Sequence, residues 1–249
     1  MKHFFTFLVL ISIKAFGNLF YRLKVDWIGK GSKRFENLKV IILLNHTSLF
    51  EPIYIAALPI ATLWKIAHWG VLPGADITLS RPIMGWFFKW VTPSTVSVSR
   101  RKDKTWSAFL DRVQPQSLVI IAPEGRMKRQ SGLDKTGNPM TVRGGIADLL
   151  SKFHDGNFLI AYSGGLHHVM TPDEKLPRLF KTIRLTLETV SISDYKFKFQ
   201  FESDLRKARL AIAKDLEQRR DAVCPNLEAE LGHKTASSKI NKESVVSIG

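Results

Sequence analysis

Short apolar runs alternate with amphipathic helix patterns along most of the chain, and this alternation is the strongest constraint on how it can fold. Residues 39–44 (KVIILL) and 118–122 (LVIIA) have the length and composition of buried strands. Further strands are predicted at 62–67, 95–99, 158–162, 183–190 and 195–201. Helices are predicted at 53–58 after Pro52, at 83–91, after a cap at Asp103, and at 145–153. This order predicts an α/β fold with a mainly parallel, mixed sheet covered by helices on both faces.

The charge of the chain limits the kinds of partner that it can attract. Its 249 residues include 37 Lys and Arg against 22 Asp and Glu, for a formal net charge of +15. With 16 Phe and 6 Trp it is too apolar for a disordered basic protein, so a folded core is expected. A strongly positive field attracts nucleic acid, anionic lipid or phosphorylated substrates, and composition alone does not choose among them.

The N-terminal segment is apolar but interrupted by charge. Residues 4–13 form an uncharged run of ten that ends at Lys14, whereas a helix needs about 20 apolar residues to span a bilayer. Lys14, Asn18 and Arg22 recur at a spacing of four and would form one polar stripe on a helix. This pattern favours a helix that associates with the membrane interface without crossing it. A core helix and a signal peptide, with Ala15 and Gly17 before its cleavage site, remain alternatives.

The sequence therefore divides into three parts. We expect an N-terminal membrane anchor at 1–30, one catalytic or binding domain at 31–225, and a polar C-terminal tail at 226–249. The single cysteine, Cys224, excludes an intrachain disulfide and any all-cysteine metal site, and so permits a reducing compartment.

Ligands of parallel sheets bind beyond the carboxyl ends of the strands, so the loops after those strands should carry the chemistry. The loop after the first strand reads NHTSLFEP and places His46 five residues before Glu51. Imidazole can accept a proton near neutral pH, and a neighbouring carboxylate fixes its tautomer. On one helix these positions would point about 140° apart, so the pairing requires a loop. The alternative is a loop histidine beside a capping carboxylate.

A second candidate loop, PEGRMKR, follows the strand at 118–122 and contains Glu124 and Gly125. Glycine lets a backbone approach a ligand closely, and Arg126, Lys128 and Arg129 suit a phosphate. Between residues 100 and 143 there are ten basic and four acidic residues. An ordinary solvated face is the alternative, but the clustering of cations on strand-end loops favours a site.

The NHTSLFEP string, followed by a strand that ends in APEG and a basic residue, resembles the glycerol-phosphate and lysophosphatidic acid acyltransferase family over roughly residues 35–200. The family has a His, four residues, Asp block and a Pro-Glu-Gly-Thr-Arg block. The resemblance implies that His46 is the catalytic base, with Glu51 in the place of the aspartate. Departures occur at Arg126 and Met127, where the family has threonine and arginine. The intermediate block, at 94–100, keeps Val98 and Arg100 but lacks its glycine.

The resemblance implies transfer of a fatty acyl group from acyl-CoA or acyl carrier protein to the hydroxyl of a lysophosphatidic acid-like acceptor, in phospholipid biosynthesis. The residues expected to bind substrate are Arg100, Glu124, Gly125, Arg126 and Lys128. It implies no metal and no cofactor beyond the thioester co-substrate. It also implies a protein associated with the cytoplasmic face of the membrane, monotopic or peripheral, with no nucleic acid among its partners.

Two other functions remain open. The same fold could acylate a different lyso-lipid, such as another lysophospholipid or an amino-lipid. A basic nucleic-acid-binding module would explain the net charge but not the strand order, and no helix-turn-helix, zinc-finger or RNA-binding signature is visible. A Gly-x-Ser-x-Gly elbow is also missing from the sequence, and Cys224 lies before Pro225 in no catalytic setting.

Overall fold

The computed structural model describes residues 1–29, 34–80, 82–99, 103–201 and 203–225. Its helices are α1 (Lys2–Phe20), α2 (Ile60–Trp69), α3 (Asp76–Leu79), α4 (Pro82–Val91), α5 (Thr105–Leu110), α6 (Gly145–Ser151), α7 (Ile192–Lys198) and α8 (Leu205–Val223), with a 3-10 helix at Glu51–Ala57. Its strands are β1 (Arg22–Ile28), β2 (Leu38–Leu44), β3 (Gly70–Ala75), β4 (Ser94–Val98), β5 (Leu118–Ile121), β6 (Asn157–Ser163) and β7 (Thr182–Ser191).

The strands form one mixed, mostly parallel sheet in the order β1-β7-β6-β2-β5-β3-β4. Strands β6, β2, β5, β3 and β4 are parallel to one another, whereas β7 is antiparallel to β6 and carries β1 at the edge. Central β2 pairs with β5 from Val40 opposite Val119 to Ile42 opposite Ile121. The loops that follow β2 and β5 therefore start side by side at the same edge of the sheet.

Helices cover both faces of this sheet, as the sequence predicts. Alternate residues of β2 point to opposite sides, with Ile42 packing in one core and Ile41 in the other. The Ile42 core is completed by α5, α6, α7 and α8, and the Ile41 core by α1, the 3-10 helix, α2 and α4. The predicted α/β class is confirmed.

The predicted strand at 62–67 is wrong, because these residues lie in α2. Leu63, Ile66 and Ala67 are buried together at the three-to-four spacing of a helix face. The true strand, β3, follows immediately and contains Gly70, Pro73 and Gly74. Glycine and proline are rare in strands, so its composition concealed it.

The predicted strand at 195–201 is also wrong, because most of it belongs to α7. The helix is capped by Ser191, whose side chain accepts a hydrogen bond from the Asp194 amide at 3.3 Å. Three further elements, β1, α3 and α8, were not predicted. Strand β1 lies within the 1–30 segment and pairs with β7, so the helical part of that segment ends at Phe20. The three-part division of the chain stays a prediction, and its tail, 226–249, lies outside the described residues.

Helix α1 packs one side, with Thr6, Leu10 and Gly17, against the domain and leaves large apolar side chains on its other side exposed. Lys14 Nζ donates hydrogen bonds to the carbonyl oxygens of Ala56, at 2.7 Å, and Leu58, at 2.8 Å. A Cβ at Gly17 would lie only 2.7 Å from Ala56 Cβ, so glycine permits this close approach. Lys14 therefore caps the 3-10 helix, whereas Asn18 is exposed and Arg22 belongs to β1. The predicted polar stripe of these three residues on one helix is wrong, because the helix ends at Phe20.

The apolar length of α1 also exceeds what the uncharged run suggests. The helix has 19 residues, and its most apolar window of 18 residues has a mean hydropathy of 1.5. Only 17% of that window is buried inside the protein. Among the described parts of the chain, α1 is the one helix long and apolar enough to cross a membrane by length and composition. An apolar N-terminal helix of this kind supports association with a membrane.

Candidate active site

The loop after β2 brings His46 and Glu51 together, as the sequence predicts. The chain leaves the strand through Asn45, at a φ of 64°, and enters the 3-10 helix that starts with Glu51. Within this turn His46 Nδ1 forms a short hydrogen bond with Glu51 Oε2. The other carboxylate oxygen, Oε1, accepts hydrogen bonds from the amides of Thr47, at 2.6 Å, and Ser48, at 3.2 Å. These amide hydrogen bonds therefore fix the orientation of the carboxylate next to the imidazole.

The burial of the two side chains differs in a way that suits proton transfer. The Glu51 side chain is only 4% exposed, whereas that of His46 is 21% exposed. A buried carboxylate at Nδ1 holds the proton on that nitrogen and stabilises the ring when it is protonated. Nε2 is then the nitrogen that can accept a proton from a substrate hydroxyl.

Glu124 lies directly behind His46. Its carboxylate accepts hydrogen bonds from the amides of His46, at 2.8 Å, and Asn45, at 3.1 Å, and is 2% exposed as a residue. Both of these contacts of Glu124 are with the backbone of the His46 loop, and its substrate-binding role stays a prediction. Gly125 next to it has a φ of 62°, and a Cβ there would lie 3.2 Å from Arg143 Nε. Glycine thus meets both a conformational and a packing requirement.

The basic residues of the second loop make different contacts. Arg126 Nη1 forms an ion pair with Asp134 Oδ2, and Arg126 lines the cavity described below. Hydrogen bonds from Asn138, Thr136 and Arg126 lower the pKa of Asp134 well below its usual range. Lys128 contacts His46 through its amide, which donates to the His46 carbonyl at 2.7 Å. Arg100, the remaining predicted cation, lies outside the described residues.

An apolar cavity of about 240 Å³ is lined by His46 and Glu51 together with residues of the sheet. It lies on the α1 side, between the strands and the layer formed by the 3-10 helix and α4. Gly125 and Arg126 line it near the histidine. Its apolar walls come from five neighbouring strands, namely Ile41 and Leu43 of β2, Ile120 of β5, Leu159 and Ala161 of β6, Leu185 and Leu187 of β7, and Leu72 and Pro73 of β3.

Two other ionisable groups close to the site are held in their neutral forms. Burial, together with the charge of Glu51, raises the pKa of Tyr54 well above its ordinary value, and its hydroxyl hydrogen-bonds to Ser163 Oγ. Burial, together with the charge of Glu124, raises the pKa of Cys224 to about 12. Because the thiolate is the nucleophilic form of cysteine, Cys224 is unsuited to attack a thioester. Within the described ranges, no group of three or more His, Cys, Asp or Glu residues could hold a metal ion.

Sequence reasoning missed one residue at the site, Arg220 of α8. Its Nη1 donates to Glu124 Oε1 at 3.2 Å and to the Met140 carbonyl at 3.0 Å. The available signal was the spacing of Ala208, Ile212 and Leu216, which predicts a helix with one buried face. The polar composition of the surrounding residues concealed that signal.

Comparison with known proteins assigns the chain to a family. The Acyltransferase family model matches residues 27–168, more than half of the chain. The chain belongs to the Acyltransferase family. The matched region contains His46, Glu51 and the Glu124 loop of this acyltransferase and ends before β7, α7 and α8. Comparison with curated protein sequences finds no match.

A solved structure supports the fold of this acyltransferase independently. The 1-acyl-sn-glycerophosphate (LPA) acyltransferase PlsC from Thermotoga maritima aligns with a TM-score of 0.52 and 18% sequence identity. The alignment covers 86% of this chain and 80% of that one. At this identity the likeness establishes a shared fold and does not extend to the acceptor that PlsC acylates.

Proposed function

We propose that this acyltransferase moves a fatty acyl group from acyl-CoA or acyl carrier protein to the hydroxyl of a lysophosphatidic acid-like acceptor. The observation that carries the proposal is the His46–Glu51 pair in the wall of an apolar cavity. A base is needed to activate the hydroxyl, and an apolar cavity is needed to bind a hydrocarbon chain beside it. The name of the PlsC relative and the basic loop beside the cavity support a phosphorylated lyso-lipid as the acceptor.

The reaction follows from the placement of the imidazole. As the acceptor oxygen attacks the thioester carbonyl carbon, its proton passes to His46 Nε2 and an oxyanion forms. Collapse of this tetrahedral intermediate breaks the C–S bond, and the imidazolium returns the proton to the departing thiolate. Glu51 stabilises the imidazolium between these steps. General-base catalysis of this kind contributes about 10²–10⁴-fold in rate, and no covalent enzyme intermediate is needed.

The cavity binds the acyl chain in this proposal. Its walls are mostly apolar side chains of the sheet and of the helices packed on it, so a chain that enters there buries apolar surface. Each buried methylene contributes about 0.8 kcal/mol to binding. The thioester carbonyl would then lie at the open end of the cavity, next to His46.

Arg126 is the described cation best placed to contact the acceptor phosphate, because it alone of the loop's Arg and Lys residues lines the cavity. Arg126→Ala should raise the KM for lysophosphatidic acid about 10- to 150-fold, the effect of losing a charge-assisted hydrogen bond. The KM for the thioester should change little. Steady-state kinetics with each substrate varied in turn measures both values.

Arg129→Ala provides the matched control for this prediction. Arg129 belongs to the same loop but pairs with the exposed Asp173 at 2.6 Å and does not line the cavity. This control should leave both KM values near those of the wild type. If Arg126→Ala raises both KM values equally, Arg126 serves through its ion pair with Asp134 to shape the loop.

Membrane association follows from the apolar surface that the packing of α1 leaves outside. Phe4 is 60%, Leu8 45% and Leu19 73% exposed, although all three belong to a helix whose other side is buried. Trp64 of α2, which is 48% exposed, packs against Phe7 with ring centroids 4.9 Å apart. Such a surface buries itself in the bilayer interface, and the net positive charge strengthens its attraction to anionic lipid. A monotopic or peripheral protein on the cytoplasmic face fits this surface.

Changing the outer face of α1 to polar residues should reduce binding to lipid vesicles at least about tenfold, because each buried apolar side chain contributes about 1.5–3 kcal/mol. The variant carries Phe4→Gln, Leu8→Gln and Leu19→Gln. Deletion of the helix is unsuitable because Leu10 and Gly17 are buried against the domain. Flotation with vesicles of phosphatidylethanolamine and phosphatidylglycerol provides the measurement.

The control for this surface carries Leu176→Gln, Phe197→Gln and Leu210→Gln, three side chains that are 80%, 87% and 72% exposed elsewhere. It should bind vesicles as the wild type does. Equal binding by the variant and the control would place the membrane contact outside α1.

An acceptor panel tests the proposed function. The purified full chain is supplied with palmitoyl-CoA or palmitoyl-acyl carrier protein, and with lysophosphatidic acid, lysophosphatidylcholine or an amino-lipid. Phosphatidic acid formation in excess of the other products supports the proposal. Preferred acylation of another lyso-lipid would replace the acceptor while keeping the chemistry. Retardation of nucleic acid without acyl transfer would contradict both.

A further inference from the structure

Helix α8 reaches the candidate active site through one side chain, Arg220. Its Nη1 is 3.2 Å from Glu124 Oε1 and 3.0 Å from the Met140 carbonyl oxygen, and its Nε is 2.8 Å from Asp221 Oδ1. The side chains of Arg220 and Glu124 are 13% and 1% exposed. The pair is therefore buried next to the loop that carries His46.

Glu124 transmits this contact to His46. One carboxylate oxygen, Oε1, receives both Arg220 and the Asn45 amide, whereas Oε2 receives the His46 amide. Asn45 has a φ of 64°, a left-handed conformation that non-glycine residues adopt only at a cost. The carboxylate thus holds a strained turn whose geometry sets where the His46 ring points.

A buried carboxylate needs a cation to offset its loss of hydration, and Arg220 is that cation. Burial alone lowers the pKa of Arg220, but hydrogen bonding to Asp221 and the charges of Glu124 and Asp221 outweigh it and raise the pKa. The guanidinium therefore stays charged. Removing it would leave Glu124 buried with backbone donors only, and the carboxylate could then shift toward solvent and release the turn.

Helix α8 is a firm support for this contact. Ala208, Ile212 and Leu216 are fully buried against the domain, and Glu217 Oε1 accepts a hydrogen bond from the Val142 amide at 2.7 Å. The helix lies beyond the region that the family model matches, 27–168.

We infer that Arg220 is a positioning residue for the reaction, which holds the Glu124 carboxylate so that the His46 backbone, and with it the imidazole, is fixed for proton transfer. This inference rests on the proposed function. Because Arg220 contacts the loop from behind and does not line the cavity, it should affect the rate of the chemical step more than the binding of either substrate.

The test compares Arg220→Met, Arg220→Lys and Arg209→Met in the full chain. Arg220→Met should lower kcat about 10- to 100-fold, with both KM values within about threefold of the wild type. Lysine should recover much of the loss, because it restores the charge. Arg209→Met is the matched control, since Arg209 lies on α8 and its Nε donates to Asp148 at 2.7 Å, away from Glu124. It should keep the wild-type kcat.

Two further measurements separate positioning from general stability. Combining Arg220→Met with Glu124→Gln should lower kcat little more than the worse single variant does, because both changes break the same connection. Amide hydrogen exchange in Arg220→Met should accelerate at Asn45 and His46 but not within β2. This second readout needs no activity, so it tests the contact even if the wild type acylates no acceptor supplied.

Several results would overturn the inference while the proposed function stands. They are a wild-type kcat for Arg220→Met in an active enzyme, a lysine variant no better than methionine, or unchanged exchange at His46. If Arg220→Met fails to fold, the inference is tested by the kcat of Arg220→Lys and by the rate of hydrogen exchange at the His46 amide of that variant. A wild-type protein without acyl transfer would instead contradict the proposed function.

Discussion

Replacing His46 by alanine should lower kcat for acyl transfer by about 10²–10⁴-fold, the contribution of a general base. The protein should stay folded, because the ring is partly exposed and its removal opens no core cavity. Glu51 also keeps the amides of Thr47 and Ser48 as hydrogen-bond donors, so the substitution leaves no carboxylate without a partner. Steady-state kinetics and circular dichroism of the same preparation measure the two quantities.

His154→Ala is the appropriate control, since His154 is exposed. It lies in the loop that precedes β6, at the edge of the sheet opposite to His46, which follows the parallel strand β2. The variant should retain the wild-type kcat. Near wild-type turnover by His46→Ala would show that the pair with Glu51 is structural, and another base would have to be found.

Filling the cavity with Ala161→Phe should change the preference of the enzyme for acyl chains by about two orders of magnitude. Ala161 lies on β6, is 6% exposed, and pairs in register with Leu43 and Leu187, which also line the cavity. A benzyl group there would exclude about four methylenes at about 0.8 kcal/mol each, or about 3 kcal/mol in all. The ratio of kcat/KM for palmitoyl-CoA to that for hexanoyl-CoA gives the preference.

The short donor is the internal control for this substitution. Its kcat/KM should fall only a few-fold, because a short chain does not reach the filled part. If overpacking destabilises the variant, Ala161→Leu offers a smaller change in the same direction. A uniform loss of kcat/KM on both donors in a folded variant would place the acyl chain outside this cavity.

The sequence predicted most of the sheet because its central strands are buried on both faces and therefore consist of continuous apolar runs. Strands β2 and β5 are of this kind. Prediction from the sequence failed at β3, whose proline and glycines are tolerated only because the surrounding sheet holds the backbone extended. It failed at α7 as well, because alternation of aromatic residues resembles a strand while a local serine cap decides for a helix.

The site shows the same division between local and distant information. The pairing of His46 with Glu51 is local, since both residues lie in one loop, and the sequence predicted it. The contact of Glu124 with Arg220 depends on a residue brought from elsewhere in the chain. The ion pair of Arg126 with Asp134 depends on how the long loop between β5 and α6 folds back on itself. Their charges were visible in the sequence, but only the packing of the 134–140 loop and of α8 shows which carboxylate each arginine meets.

Acyl transfer by the His46–Glu51 pair is tested most directly by measuring whether free thiol and lipid product appear together and whether both depend on His46. Purified wild-type protein is incubated with palmitoyl-CoA or palmitoyl-acyl carrier protein and lysophosphatidic acid, and free thiol and phosphatidic acid are measured in the same samples. We expect equal amounts of both, dependent on the acceptor, and neither above background with His46→Ala. Thiol release without phosphatidic acid, or equal product from His46→Ala, would contradict acyl transfer by the His46–Glu51 pair.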